Sequence, residues 1–332
     1  MLNLSNEDQD LKSNESIRRS IPRLFDNPTI IFLTPNPDDS EWQSSFHRHE
    51  ANFQSLNINV LSIPWYESPL SIQSSHIYLA NLVWNYHLQT NRWLTWLQSW
   101  PETLRLINSV KLLLWNTKKT YLKDLEMKGI PIIPTIFVDH IDETKLIEAT
   151  GYFNTFDLII KPQISASSDN IIRVLIGNDD FVSKPKSISI NEAIEKLNKI
   201  PQIGSMMIQP FMTNISHEGE ISVIIFDGQI SHVVKKTVHQ NDFRVQTKYG
   251  GTCVTLDNIS SEIQILVDIT LKACPEMPIY ARIDILRNNI TNKLCVVELE
   301  LIEPGFFLDN SSDGGMAFAK TILKKIKLVD VY

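Results

Sequence analysis

The sequence predicts a chain of mixed α/β and α+β class, built from two or three packed modules. Three observations carry this. Strand, amphipathic helix and two more strands follow one another between residues 29 and 87, the pattern of a small α/β unit. From "DLIIKP" onward the pattern becomes strand-rich, with helices only at intervals. The 332 residues, 43% hydrophobic and 21% charged, suffice for more than one core and have the composition of a soluble globular protein.

The ordered part opens with "PTIIFLTP", a short β-branched strand. In "DDSEWQSSFHRHEANFQSLN", Trp42, Phe46, His49 and Phe53 recur at three- and four-residue steps, which predicts an amphipathic helix. His47 and His49 point in different directions on such a helix and read as ordinary helix residues rather than a metal pair. "INVLSIP" and "IYLANLVWNYH" read as strands. "NRWLTWLQSW" places Trp93, Trp96, Leu97 and Trp100 on one helical face, more simply a helix packed on a sheet than a ligand pocket. "VKLLLWNT" reads as a strand end, followed by a helix over residues 117–127, a stop at Gly129 and a strand after Pro134. Strands follow at "DLIIKP", "NIIRVLI", "MMIQPF", "EISVIIFDG", "ISHVVKKT" and "FRVQTKYGG", interrupted by helices at "SINEAIEKLNKI" and "SSEIQILVDITLKAC". A last pair, "IYARIDILRNN" and "KLCVVELEL", precedes a helix in "GGMAFAKTILKKIK".

Net charge is −7, which argues against a nucleic-acid partner, since that needs a basic face. No apolar run reaches the length of a membrane span. The three cysteines, Cys253, Cys274 and Cys295, lack metal-type spacing and read as reduced residues of a cytoplasmic protein. Residues 1–28 are polar, acidic in part and without an apolar signal-peptide core, the composition of a mobile tail.

The strand "LCVVELEL" raises a physical question. Residues two apart on a strand share a face, so Glu298 and Glu300 sit side by side, roughly 7 Å apart at Cα. Burying either carboxylate unpaired is costly, so a cation should lie over that face. "ARIDIL" and "VVELEL", separated by the turn-rich "RNNITNK", form a hairpin, which lets Asp284 join the two glutamates. Three converging carboxylates suit a hard divalent cation such as magnesium, with manganese as an alternative. Arg282 points the same way as Asp284 and suits phosphate or a developing oxyanion. Further along the chain, Lys161 ends an apolar strand before the small-residue loop "QISASSDN", whose N–H and hydroxyl groups can meet phosphates. "MMIQPF" ends on a proline beside carbonyls able to read an adenine edge. Glu220 begins another strand, and Lys235, Lys236, Arg244 and Lys248 crowd one stretch of an acidic protein. Read without the others, each of these features could be a plain loop or a solvated face.

In this order, "FDLIIKP", "MMIQPF", "HEGEISVIIFDGQISHVVKK", "DFRVQTKYGG" and "YARIDIL…VVELELIEPGFFL" resemble the ATP-grasp superfamily, over about residues 113–325. The phrases "LLWNTKKTYLKDL", "LVWNYH" and "ELELIEP" are most similar to the branch holding the O-ureido-serine cyclo-ligase of cycloserine biosynthesis, with bacterial glutathione synthetase more distant. The resemblance implies an ATP-grasp fold with an N-terminal α/β (pre-ATP-grasp) domain over 29–112, a small lid region over 113–210 and a C-terminal α+β subdomain over 211–332. It implies that Lys119, Lys161 and Lys236 hold nucleotide phosphates, with Lys235 competing for the last place. The loop Ser165, Ala166 and Ser167 covers the phosphates, Gln209, Pro210, Phe211 and Met212 meet adenine mainly through backbone, and Glu220 binds ribose. Asp284, Glu298 and Glu300 take the magnesium triad, and Arg282 and Arg244 the catalytic arginines. Gly250 and Gly251, with Trp84, Asn85 and Tyr86, face substrate. Asn85 stands where the cyclo-ligase branch has an acid, which implies a different substrate if that position touches it.

The function so implied is ATP-dependent carboxylate–amine ligation through an acyl phosphate. The substrate would be a small amino-acid-like molecule or peptide, with ring closure within one molecule as one option. A small-molecule carboxylate and a nitrogen nucleophile are the implied partners, and a homo-oligomer stays open. A phosphotransferase acting on a hydroxyl, or a non-catalytic ATP-binding module, are the rival readings.

Overall fold

The computed structural model describes residues 29–36, 41–67, 76–166, 170–176, 187–200, 204–239, 242–245 and 249–327. The tail expected over 1–28, Ser167 and Lys248 lie outside them. Among the described residues, the strands form three sheets.

The first is a parallel sheet of β1 (Thr29–Thr34), β2 (Asn59–Pro64), β3 (Ile77–Leu79) and β4 (Arg105–Ile107), in the order β2-β1-β3-β4. Every residue of β1 is buried, as in a strand covered on both faces. Helix α1 (Gln43–Gln54) buries Phe46, His49 and Phe53, with Trp42 beside them, on one side. Helix α2 (Thr90–Gln98) covers the other, and its tryptophans are core: Trp93 is fully buried and packs edge-on to Trp65. The strand expected through "IYLANLVWNYH" ends after Leu79. Turn bonds from Val83 N–H to Ala80 O and from Tyr86 N–H to Val83 O curl the chain, and Asn85 takes φ 71°, a left-handed conformation that asparagine tolerates.

Helices α3 (Val110–Thr117) and α4 (Tyr121–Met127) come next. The strand end expected at "VKLLLWNT" is thus corrected to a helix, capped by Ser109, whose Oγ accepts from Leu112 N–H. The run is apolar all round because the helix lies between two cores: Leu113 packs into one and Leu112 into another. Leu112, Tyr121, Leu122 and Leu125 share the core of the last sheet.

The middle sheet has the order β5-β9-β6-β7-β8, from Ile136–Val138, Met206–Pro210, Asp157–Pro162, Ile172–Leu175 and Ser187–Ile188. Helices α5 (Glu143–Phe153) and α6 (Ile190–Asn198) bury Leu146, Phe153 and Leu197 against it. The last sheet is antiparallel, β12-β11-β10-β13-β14, from Thr252–Thr255, Gln229–Thr237, Glu220–Phe226, Tyr280–Arg287 and Leu294–Glu300. The strand expected at "FRVQTKYGG" does not form over the described residues 242–245; β12 begins only after Gly251. The Asp242 carboxylate takes the N–H groups of Phe243 and Arg244, a local bond that competes with a sheet ladder. Helix α7 (Ser261–Ala273) backs this sheet, and α8 (Met316–Lys327) returns to pack with the first sheet. Among the described residues, no helix is long and apolar enough to cross a membrane.

Candidate functional site

One face of the last sheet carries the charges. The register pairs Asp284 with Glu298 and Arg282 with Glu300 across β13 and β14. It pairs Ser222 of β10 with Asp284, and Glu220 with Lys236 of β11. Strand alternation therefore brings residues from four strands to one face. One oxygen each of Asp284, Glu298 and Glu300 lies within 4.8 Å of the other two, close enough to share one cation.

The cations required above that face are present. Lys119, in the turn between α3 and α4, is 7% exposed and places Nζ 3.0 Å from Glu298 Oε1. It also donates to Ser165 O at 2.7 Å. Lys161, at the end of β6, is 5% exposed. Arg282 grips Asp284 through Nε at 3.1 Å and Nη2 at 3.0 Å, and pairs with Glu300. Lys236 pairs with Glu220 and lies 3.3 Å from Asp284 Oδ1. Of Lys235 and Lys236, the latter is buried on the charged face and the former half-buried. Ser222, two residues beyond Glu220 and so on its face, donates to Asp284.

Burial and pairing pull these groups apart. Burial alone would raise the Glu298 carboxyl, but Lys119 and Lys161 hold it below its ordinary value. Burial is likewise outweighed at Asp284, lowered by Arg282 and Lys236. Glu300 goes the other way, raised to about 7 by burial despite Arg282. Glu303 is raised to about 8, by burial and then by Glu300. Lys161 is lowered by burial, partly offset by Glu298.

Two spaces adjoin the cluster. The first is an apolar cleft between the middle and last sheets, walled by Ile133, Ile159 and Val297 and edged by Gln209, Pro210, Phe211 and Met212, with Lys161, Glu220 and Arg244 also facing it. The Gln209 side chain donates to Thr135 Oγ1 at 2.8 Å, and Gln209 pairs with Ile159 of β6. Phe211 N–H donates to Asp157 O, and its carbonyl accepts from Asn289 at 3.3 Å. Arg244 is held by Asp242 and stacks on Tyr249, 3.4 Å from the ring centroid. Gly250 and Gly251 do not line this cleft. A Cβ on Gly251 would overlap Val245 O, so this glycine lets the chain pass close behind the segment that carries Arg244.

The second space joins Lys119, Ser165 and Ala166 to Glu298, Glu300 and Glu303, with Tyr86 and Tyr121 in its wall. Tyr86 thus meets the acidic strand. Trp84 faces a separate cavity, and Asn85 lines neither. Glu303 lies beyond the strand, where period-two reasoning stops.

No protein-family model matches the chain. Among curated proteins it is similar to the cycloserine biosynthesis protein DcsG of Streptomyces lavendulae, 24% identical over 262 residues, covering 74% of this chain and 81% of that one. Among solved structures, D-cycloserine synthetase DcsG superposes with a TM-score of 0.73 at 18% identity, covering 90% of this chain and 99% of DcsG. The ATP-grasp ligase PsnB, solved with a phosphomimetic variant of its minimal precursor, Mg and ADP, gives 0.60 at 14% identity over 90% and 99% of the two chains. D-alanine–D-alanine ligase of Bacillus anthracis, complexed with ATP, gives 0.61 at 14% over 91% and 99%.

The chain has the ATP-grasp fold. Residues of the charged cluster reach both spaces: Lys161 and Glu220 face the cleft, while Lys119 and Glu298 line the second space. Of the positions predicted for that fold, the structure gathers Lys119, Lys161, Ser165, Ala166, Gln209 to Met212, Glu220, Lys236, Arg244, Arg282, Asp284, Glu298, Glu300 and Tyr86 around these spaces. It does not gather Trp84, Asn85, Gly250 or Gly251.

Proposed function

We propose that the protein is an ATP-dependent ligase that joins a carboxylate to a nitrogen nucleophile through an acyl phosphate. The observation that carries this is the cross-pairing on one buried face: Glu220, Asp284, Glu298 and Glu300 against Lys119, Lys161, Lys236 and Arg282. Each set is complementary to one half of magnesium-ATP. The triad fits a divalent cation by its oxygen-only donors and its spacing. Asp284, Glu298 and Glu300 would hold such a cation, which would supply positive charge against the phosphates. The lysines that now balance the carboxylates are then the groups that hold the phosphates, so binding exchanges partners within one cluster and leaves few charges unpaired.

In this reading the apolar cleft takes adenine, with backbone of Gln209, Pro210 and Met212 at its edge, and Glu220 takes ribose. The region 113–210 acts as the lid, through Lys161 and the loop from Ser165. Arg282 and Arg244 stabilise the oxyanion of the attacked acyl group. Similarity to DcsG and PsnB supports a small amino-acid-like or peptide substrate.

The test is ADP release across a panel of amino acids, ureido acids and short peptides, with hydroxylamine added. A hydroxamate formed together with ADP is expected. ADP release without any hydroxamate would mean phosphate passes directly to a hydroxyl.

A further inference from the structure

Each carboxylate of the charged face has a cationic partner. Glu298 pairs with Lys119, Glu220 with Lys236, and Asp284 and Glu300 with Arg282. Glu303 differs. It is half-buried and lines the second space, with Tyr86 and Tyr121 in the same wall. Among the described residues it makes no hydrogen bond and no ion pair. Nor is it one of the three carboxylates that converge on a common point.

The chain on its N-terminal side is held firmly. Leu301 N–H donates to Asn116 Oδ1 at 2.8 Å, and Ile302 O accepts from the Tyr280 hydroxyl at 2.9 Å. Leu301 and Ile302 are buried in two different cores. Pro304 follows, which restricts the backbone of Glu303 itself. A carboxylate carried on so fixed a segment, with no partner of its own, points to a ligand that supplies one.

A second polar group in the same wall is also unpaired. Tyr86 is 6% exposed, and its hydroxyl makes no hydrogen bond among the described residues. Burial and then Glu303, ahead of Glu300 and Glu298, push that hydroxyl well above its ordinary value. The space these groups share measures about 30 Å³, room for a group near the size of a water molecule. Lys119, Glu298 and Glu300 also line it, so an occupant would lie beside the reacting centre.

Charge decides what fits. Burial and Glu300 raise the Glu303 carboxyl to about 8, so the chain's own charges disfavour its ionised form. Magnesium-ATP would not relieve this, because the triad takes the metal while Lys119 and Lys161 turn to the phosphates. A hydroxyl would supply a hydrogen bond but no charge. An ammonium group supplies three donors and one positive charge, for the carboxylate and the Tyr86 oxygen together.

We propose that Glu303, with Tyr86, selects the nucleophile of the ligation as a primary amine that enters in its ammonium form. Glu303 is then a specificity-determining residue. That the amine is ligated rests on the function proposed above; that it binds beside Glu303 does not.

Propylamine and propanol, matched in size, are the probes. Saturation-transfer NMR near neutral pH, on the full chain with magnesium and AMPPNP, is expected to show propylamine binding at least about tenfold more tightly than propanol. Glu303→Gln keeps the shape and should remove that preference. Glu303→Asp keeps the charge and should retain most of it, an outcome that a purely structural role would not produce. Equal binding of the two probes, or an unchanged preference in Glu303→Gln, overturns the proposal. ADP release by the unaltered chain, across the carboxylate panel with hydroxylamine, separates the two claims. Amine selectivity with no ADP release on any carboxylate counts against the ligase alone. ADP release with a hydroxamate but without amine selectivity counts against Glu303 alone.

Discussion

Glu298 and Glu300 occupy successive positions on the same face of one strand, yet they stand in opposite electrostatic surroundings. From the strand pattern alone, removing either charge should be neutral or stabilising without metal, because like charges repel. The structure separates them. Glu298 balances Lys119 directly and Lys161 through space, so Glu298→Gln leaves buried lysines uncompensated. We expect the metal-free protein to lose about 1–3 kcal/mol. Glu300 is raised to about 7, so its ionised form costs the fold something near neutral pH, and Glu300→Gln should leave the metal-free melting midpoint unchanged or higher. Both variants should lose ADP release by orders of magnitude. Turnover in Glu300→Gln near the wild-type rate would remove it from the metal site. Glu303 supplies a pH prediction. Its folded pKa, about 8, lies above the ordinary value of 4.5, so the native state holds an extra proton between those values. Stability must therefore fall as pH rises through that window, and Glu303→Gln should flatten the decline in metal-free melting midpoint between pH 5 and 8 (about one to two units either side of neutrality). An identical slope in the variant would show that Glu303 ionises without penalty.

At the scale of elements, Gly251 ties the end of β11 to the segment bearing Arg244. A Cβ there would overlap Val245 O and come within 3.1 Å of Thr237 O, neither of which is a flexible side-chain end. Gly251→Ala should displace Arg244 and lower ADP release on the order of 100-fold, since small misplacements near a reacting centre carry costs of that size. The melting midpoint should move by only a few degrees (about one kcal/mol in a chain this long). Near-normal release would mean that Arg244 does not need its present position. The hairpin that carries the acids was legible because its chemistry has period two: Arg282, Asp284, Glu298 and Glu300 share a face by counting alone. Helix α3 was not legible, since a run apolar on every side reads equally as a buried strand, and only two cores flanking it decide the matter. Helix α5 and the short strands β4 and β8 were missed, although α5 is announced by its cap, where Asp142 Oδ1 accepts from Lys145 N–H, and by Leu146, Ala149 and Phe153 at three- and four-residue steps. The pairing of His49 with Asn81 was invisible for another reason. It joins residues 32 apart through a tertiary contact, and neither residue type is informative without the other.

At the scale of the molecule, the site draws on the middle and last sheets at once, so a ligand that spans them should stabilise the chain as a unit. Magnesium-ATP at 100 times its dissociation constant should add about 2.7 kcal/mol, read as a raised melting midpoint. ATP with EDTA should add much less, and an equal shift in both would count against a metal-assisted mode of binding. The return of α8 to the first sheet has a consequence for how the protein is made. Phe318 is fully buried, its ring centroid 6.2 Å from that of Phe53 and 5.3 Å from that of Phe226, and it shares a core with Ile30 and Phe32. Strand β1 thus waits for the synthesis of α8 before this apolar face is covered. Domains that fold as they emerge avoid this exposure; this one cannot. A chain halted after Gly315 should leave the ribosome aggregation-prone and easily cut by protease around Phe46 to Phe53, whereas a halted chain as protected as the full one would mean that the first sheet closes without its last helix.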